Sequence, residues 1–474
     1  MLAALGAIWV LAVLAAPSIG QADATTISAH RIRDGIAGGW TGAVIAGAWG
    51  FPTEFGFEGR TVPPRRVPEY SIAQVNHYSF GGESDESYVE IPFLNAMRHQ
   101  GVTASWPQWG PAFARTHFLL FGANKHARAN LRHNIPAPAS GDPASSRYYN
   151  DIDFEIESDF IGMAAPAQPG AAEEIAWRLG HVMNYGDGVY GGVMVSAMHA
   201  AAFKARNVSE IVAAGQAAIP EGTAYRRMID DVIRWHQRHP GDWKATWRKL
   251  ERRWNAPTRY AKSHHLKTKF NIDAKLNGGF VLLGLLYGHG NFERTIRISM
   301  RAGQDSDCNP SNAASILGNW LGRSRIPDRF KLGLSRSGRF TGTHYTLPRA
   351  IRATQALAGD LTTFRGGHVG RRRWQAAPSP GGPVGFEQQP LSPDAPPQLS
   401  AAEIGLDGRT VSLLANGDDT DGIADVWWSF GDLSGAHGPL VQHTYRAPGT
   451  YLVAVWVADP LGRTSMTQFD VHIP

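Results

Sequence analysis

The sequence predicts two folded units in one chain, a large all-α body followed by a small all-β sandwich. Three observations carry that prediction. From Ile32 to about Leu361, apolar residues fall in segments of helical length, at 31–50, 87–101, 170–184, 189–205 and 278–288, with no series of alternating strands. Beyond residue 398, the runs 410–414, 425–430, 449–459 and 465–473 alternate with period two, are rich in β-branched and aromatic residues, and are separated by Gly/Asp/Pro turns. Between them, residues 366–398 are dominated by Pro and Gly and lose helical periodicity. At 474 residues with 43% hydrophobic and 18% charged, the chain is neither a mini-protein nor a disordered or coiled-coil sequence.

The elements follow in order. Leu2 to Ile19 are almost wholly apolar and Ala22-Asp23-Ala24 follows as a small-x-small cleavage pattern, so residues 1–24 read as a secretory signal peptide. A secreted or periplasmic protein is expected, or a membrane-anchored one if the segment is uncleaved. No Lys or Arg precedes Arg31, so the positive n-region is the amino terminus alone. The body is expected over 25–365; its helices are hydrophobic nearly all round and rich in Gly and Ala, as for helices buried in a large core. Residues 366–398 read as a linker, with Arg371, Arg372 and Arg373 as a solvated basic run, and 399–474 as the sandwich. Residues 399–474 carry nine acids against three arginines, a balance of −6, which leaves +11 on residues 1–398 out of the net +5. Such a body favours an anionic partner. The single cysteine, Cys308, excludes an internal disulfide.

Carboxylates at turns beside helices are the informative part. Glu54 follows a Gly-rich helix and Pro52. Ser84, Asp85, Glu86 and Ser87 precede an apolar helix, where Ser84 serves either as an N-cap or, with its neighbours, as a set of hard oxygen ligands for Mg²⁺. Asp305 and Asp307 share a loop with Gln304, Ser306 and Asn309, more acceptors than one N-cap requires, and an Asp-x-Asp pair is costly to assemble without a neutralising cation. Asp151, Asp153, Glu155, Glu157 and Asp159 crowd a nine-residue window that reads as an exposed edge, a helix start or a pocket rim. Asp187 and Gly188 sit in a Gly-rich loop open to a turn explanation.

With these clusters in place, residues 30–325 resemble the ADP-ribosylglycohydrolase family. Gly50, Pro52 and Glu54 match its opening motif; Ser84, Asp85, Glu86 and Ser87 match its Thr-Asp-Asp-Thr run; Gln304, Asp305, Ser306, Asp307 and Cys308 match its late Gly-Asp-Thr-Asp-Thr loop. The resemblance implies a compact all-α fold with two Mg²⁺ ions, held here by Ser84, Asp85, Glu86, Asp305, Asp307 and Cys308. The family's last ligand is a threonine hydroxyl; a thiol is a poorer ligand for Mg²⁺, so that position falls to Cys308 itself, Ser306, Asn309 or water. The stretches at 156–166 and 184–192 depart from the family's pocket motifs, which implies retained metal chemistry with different substrate recognition.

The C-terminal unit resembles a PKD-type, immunoglobulin-like sandwich through Trp428, Phe430, Gly431, Asp432, His443, Thr444, Tyr445, Pro448, Gly449, Thr450 and Tyr451. The acidic turn at 416–422 lacks the full calcium-loop spacing and reads as the usual turn before the tryptophan strand.

The expected function is an exported, Mg²⁺-dependent glycohydrolase cleaving an N- or O-glycosidic bond of an ADP-ribosyl or related ribosyl or glycosyl substrate. Glu54 is assigned as general base or as a group reorienting substrate and metal, and Asp85 or Asp307 as water-positioning. Asp151, Asp153, Asp159, Asp187, Gly188 and Gln304 are expected at the substrate. The partner is a small anionic sugar nucleotide or glycoside, with no specific nucleic acid, a surface or carbohydrate contact through the sandwich, and a monomeric chain. The alternative is a non-catalytic, metal-stabilised binding module on an adhesive sandwich. His264-His265 cannot share a metal on one regular element, and Trp106 and Trp109 read as packing under a loop rather than a sugar platform.

Overall fold

The computed structural model describes residues 24–82, 84–255, 270–387 and 395–474. The expected signal peptide (all but Ala24) and His264-His265 lie outside the described residues, and no described helix is long and apolar enough to cross a membrane.

Helices form the body, as the periodicity predicts. The helix Ala29–Gly50 is capped by Ser28, whose hydroxyl accepts from the Arg31 amide. It packs along Cys308–Leu321 at backbone contact: a Cβ at Gly38 would lie 2.1 Å from the Gly318 carbonyl oxygen, and one at Gly42 2.2 Å from that of Ala314. A small residue every fourth position, Gly38, Gly42, Ala46 and Gly50, lets the two backbones meet and fixes both site loops at the shared end. Behind this pair, every residue of Asp187–Ala202 is buried, and all of Ala274–Gly288 but Lys275. These are the helices without a polar face.

Part of the stretch read as a linker, 366–398, is built into the fold. Strand β1 (Thr25–Ser28) pairs antiparallel with β3 (Arg373–Ala376), which also pairs with β2 (His368–Val369). The short strands escape notice because Pro and Gly flank them. The arginines themselves are exposed, as expected of a basic run. Further on, the chain is laced to the body: Ser379 accepts from the Gly170 amide, and the Val384 amide donates to Ala218.

The sandwich stacks two antiparallel sheets. One has the order β10 (Thr464–Ile473), β9 (Gly449–Ala458), β6 (Asp425–Ser429), β7 (Gly435–His437); the other has β4 (Gln398–Asp407), β5 (Thr410–Asp418), β8 (Leu440–Thr444). Successive strand residues face opposite ways, so Trp428 enters the sandwich core while Trp427 and Trp456 face the body. There they meet Trp177, at ring distances of 5.6 and 5.9 Å, and Trp106 meets Trp456 at 5.8 Å. Trp106 and Trp109 are both buried, so they pack rather than form a sugar platform.

Candidate functional site

A cleft of about 610 Å³ opens where the end of the first helix meets the loop at 304–308. Its lining includes the acids Glu54, Asp85, Asp153 and Asp305 with Cys308, the basic Lys125, His126 and Arg147, and the rings of Phe55, Phe121, Phe270 and Tyr148.

The acidic side is built from two loops. Asp85–Ser87 form a single 3₁₀ turn, and Ser84 makes no capping bond. Its hydroxyl instead donates to Glu86 Oε1 at 2.6 Å, which sets the capping explanation aside. Glu86 fits only because residue 47 is glycine, where a Cβ would fall 1.6 Å from Oε1. In the second loop Asp305 Oδ1 accepts from the Cys308 amide at 3.2 Å, and the Asp307 carboxyl lies close enough to that of Asp305 for each to raise or lower the other's affinity for a proton. Gln304 sits at φ +54°, in the left-handed region, and its Oε1 accepts from Asn271. It orders the loop and does not line the cleft.

Ligand atoms of Asp85, Glu86 and Cys308 lie within 4.8 Å of one another, as do those of Asp305, Asp307 and Cys308. Among the described residues no lysine or arginine pairs with Asp85, Glu86, Asp305 or Asp307. Asp85 keeps part of its surface in the cleft, yet close packing around its carboxyl, then Glu86, Asp305 and Glu54, pushes it well above the usual carboxylate range. Burial pushes Glu86 up to about 7 despite the Ser84 bond. Asp307 is raised by burial, then by Glu54 and Asp305. Glu86 Oε2 and Asp307 Oδ1 are buried with no hydrogen-bond partner. Orphaned carboxylate oxygens, crowded and uncompensated, suit a hard divalent cation. Cys308 Sγ stands 3.9 Å from Asp85 Oδ1, and burial with four neighbouring carboxylates pushes its thiol up. The Ser306 hydroxyl bonds Thr53 at 2.8 Å, while Asn309 Nδ2 donates to Asn277 and its Oδ1 is buried with no hydrogen-bond partner.

The remaining acids separate. Asp153 reaches the cleft, but its two oxygens accept from the amides of Ala123 and Asn124 and so cap the helix Gly122–Arg132. A Cβ at Gly122 would collide with Asp153 Oδ2 at 2.6 Å. Burial pushes Asp153 up to about 7. The nine-residue acidic window is therefore a pair of helix starts, Asp153–Ile156 and Asp159–Ala164, and every residue in it is buried, which overturns the exposed-edge reading. Asp151 is fully buried behind the wall. Asp159 accepts from His199 at 2.8 Å and Asn312 at 3.2 Å, deep in the core. Asp187 pairs with Lys275 at 2.5 Å, which also holds Asp273 at 3.0 Å. A Cβ at Gly188 would meet Asn184 Nδ2 at 2.4 Å, so this glycine serves packing. None of Asp151, Asp159, Asp187, Gly188 or Gln304 lines the cleft.

The sequence reading missed the basic and aromatic wall. Its signal was present in the cationic first half of Gly122–Arg132, behind the exposed Phe121.

Comparisons with known proteins agree with this architecture. A family model for ADP-ribosylglycohydrolase matches residues 28–363, and one for the PKD domain matches 394–473. Among solved structures, an ADP-ribosylglycohydrolase-related protein complex aligns at 15% identity and TM-score 0.45, over 69% of this chain and 98% of that one. The PKD1 domain of Vibrio anguillarum Epp aligns at 25% identity and TM-score 0.16, over 17% of this chain and 94% of that one. The PKD1 domain of the Vibrio cholerae metalloprotease PrtV aligns at 21% and 0.16, over 17% and 98%. No curated protein matches. The chain belongs to the ADP-ribosylglycohydrolase family, a membership that implies hydrolase activity, and carries a PKD domain after its helical body.

Proposed function

We propose that this chain is an exported, Mg²⁺-dependent glycohydrolase acting on an N- or O-glycosidic bond of an ADP-ribosyl or related glycosyl substrate. One observation carries the reading: four carboxylates from two loops converge beside a cleft, and among the described residues no lysine or arginine pairs with any of them. Ser84, Asp85, Glu86, Asp305 and Asp307 would hold the metal, with Cys308 between the two pairs. Bound there, Mg²⁺ would supply charge neutralisation and a fixed orientation for substrate oxygens.

The chain's own groups divide the work by charge. Lys125 and Arg147 line the same cleft as the acids and would take an anionic group such as a diphosphate. Phe55, Phe121 and Tyr148 offer ring faces for a base or sugar. Glu54, at the cleft beside Asp85 and Asp307, would accept the proton of the attacking water or steer the substrate. Asp85 and Asp307 would place that water, and the surrounding negative charge favours an oxocarbenium-like transition state.

Glycohydrolase assay with and without EDTA, alongside Asp307→Ala, tests the reading. Turnover should fall by about 10³-fold in the variant and on chelation. Unimpaired turnover in Asp307→Ala removes the metal proposal. Tight ligand binding without turnover would favour the non-catalytic module, the reading that the thiol at Cys308 supports.

A further inference from the structure

We propose that Glu387 is a positioning residue for the cleft, fastening a wall of the helical body from a stretch of chain that lies between the two family matches. It rests on the reading of that cleft as the substrate site. Glu387 is 1% exposed and reaches across to the loop at 184–187. Its Oε2 accepts from the Gly186 amide at 2.8 Å, and its carboxylate faces His181 Nε2 at 3.2 and 3.3 Å. Its amide donates to the Tyr190 hydroxyl, which donates in turn to the Gly385 carbonyl at 2.8 Å.

The loop so held grips the cleft wall. Asn184 Nδ2 donates to the carbonyls of Tyr149 and Asp151, its Oδ1 accepts from the Phe154 amide, and the Tyr185 amide donates to Tyr149. Those bonds fix the segment at 148–156, which supplies Tyr148, Ile152, Asp153 and Ile156 to the cleft. Gly186 takes φ +55°, ψ −121°, which glycine adopts freely, and the turn it makes points its amide at Glu387, which holds it.

Both His181 nitrogens face acceptors, Trp177 O at 2.6 Å and Glu387, so both donate only as imidazolium. Burial alone would lower His181; Glu387, with Asp142 beyond it, outweighs that and raises it. Trp456 of the sandwich lies tilted against the same ring, centroids 5.8 Å apart, and Tyr185 and Tyr190, held protonated by burial, flank Glu387. A histidine raised in the fold gives its full contribution below its ordinary value and loses it as pH rises through the raised one.

The test is hydrogen exchange on the full chain, comparing Glu387→Ala and Glu387→Gln with the unsubstituted protein. In Glu387→Ala the amides of 184–187 and 149–154 should exchange about tenfold faster, with a smaller effect for Gln, which keeps one acceptor for Gly186. Glu387→Gln carries the test alone if the alanine variant does not fold. Asp425→Asn, which loosens the neighbouring Phe386 amide from the sandwich, should leave 149–154 unchanged. In the unsubstituted chain, protection of 149–154, corrected for intrinsic rates, should fall more steeply as pH rises above the ordinary histidine range than in Glu387→Ala, where only the raised carboxyls such as Asp153 still contribute. Where turnover is measurable, KM should rise more than kcat falls. Unchanged exchange at 149–154 in both variants overturns the assignment. Absence of turnover in the unsubstituted chain overturns only the glycohydrolase reading, because exchange is read without substrate.

Discussion

The sandwich turn at 418–421 and the body loop at 304–308 crowd acidic side chains in much the same way along the sequence. In the sandwich, Arg463 lies between Asp419, Asp421 and Asp459, with Asp421 at 2.7 Å and Asp419 at 3.1 Å. Asp187 and Asp273 likewise share Lys275. In the body loops, Asp85, Glu86, Asp305 and Asp307 have no such partner among the described residues. Buried like charges must be neutralised by protons, by a protein cation or by a bound ion. The sandwich turn and the Asp187 pair use a protein cation, which removes the need for an ion. The cleft loops leave protons or a metal.

Substitutions can break this distinction. Lys275→Met strips the cation from Asp187 and Asp273 at a buried site and should cost about 3 kcal/mol of unfolding free energy in denaturant titrations. The same cost without loss of Asp187 order would weaken the comparison. Arg463→Met should lower the melting temperature and make it rise again with added Ca²⁺, because the three aspartates would then resemble the cleft cluster; a calcium-insensitive variant would mean the turn geometry cannot serve a cation at all. Cys308→Ser replaces a thiol with a hydroxyl beside the carboxylates and should tighten Mg²⁺ binding, by up to about tenfold in calorimetry. Weaker binding would place Cys308 outside the ligand set.

What could be read in advance follows from how local each feature is. The carboxylate loops were legible because their members are neighbours in sequence. That Asp159 and Asp187, expected at the substrate, stand away from the cleft turns on partners far along the chain, His199 and Lys275, that no local pattern reveals. The basic wall depends on Asp153 capping a helix 30 residues earlier. Ser84 resembled a cap because a helix follows, yet that helix begins only at Ile91. The strap at 377–387 was invisible for a different reason: its bonds run through backbone groups and one glutamate, and they leave no periodicity.

Stability against pH, with and without Mg²⁺, tests most directly that the cleft cluster lacks a protein cation and takes a metal instead. Carboxyls raised in the fold bind protons more tightly there than in the unfolded chain, so metal-free stability should fall from the ordinary carboxylate range up through about 7, where Glu86 titrates, and beyond for Asp85 and Asp307. Added Mg²⁺ should restore it increasingly toward pH 8, and Asp307→Asn should lower both the pH slope and the restoration. A metal-free curve flat between pH 4.5 and 8, or an equal Mg²⁺ effect in Asp307→Asn, would contradict the account.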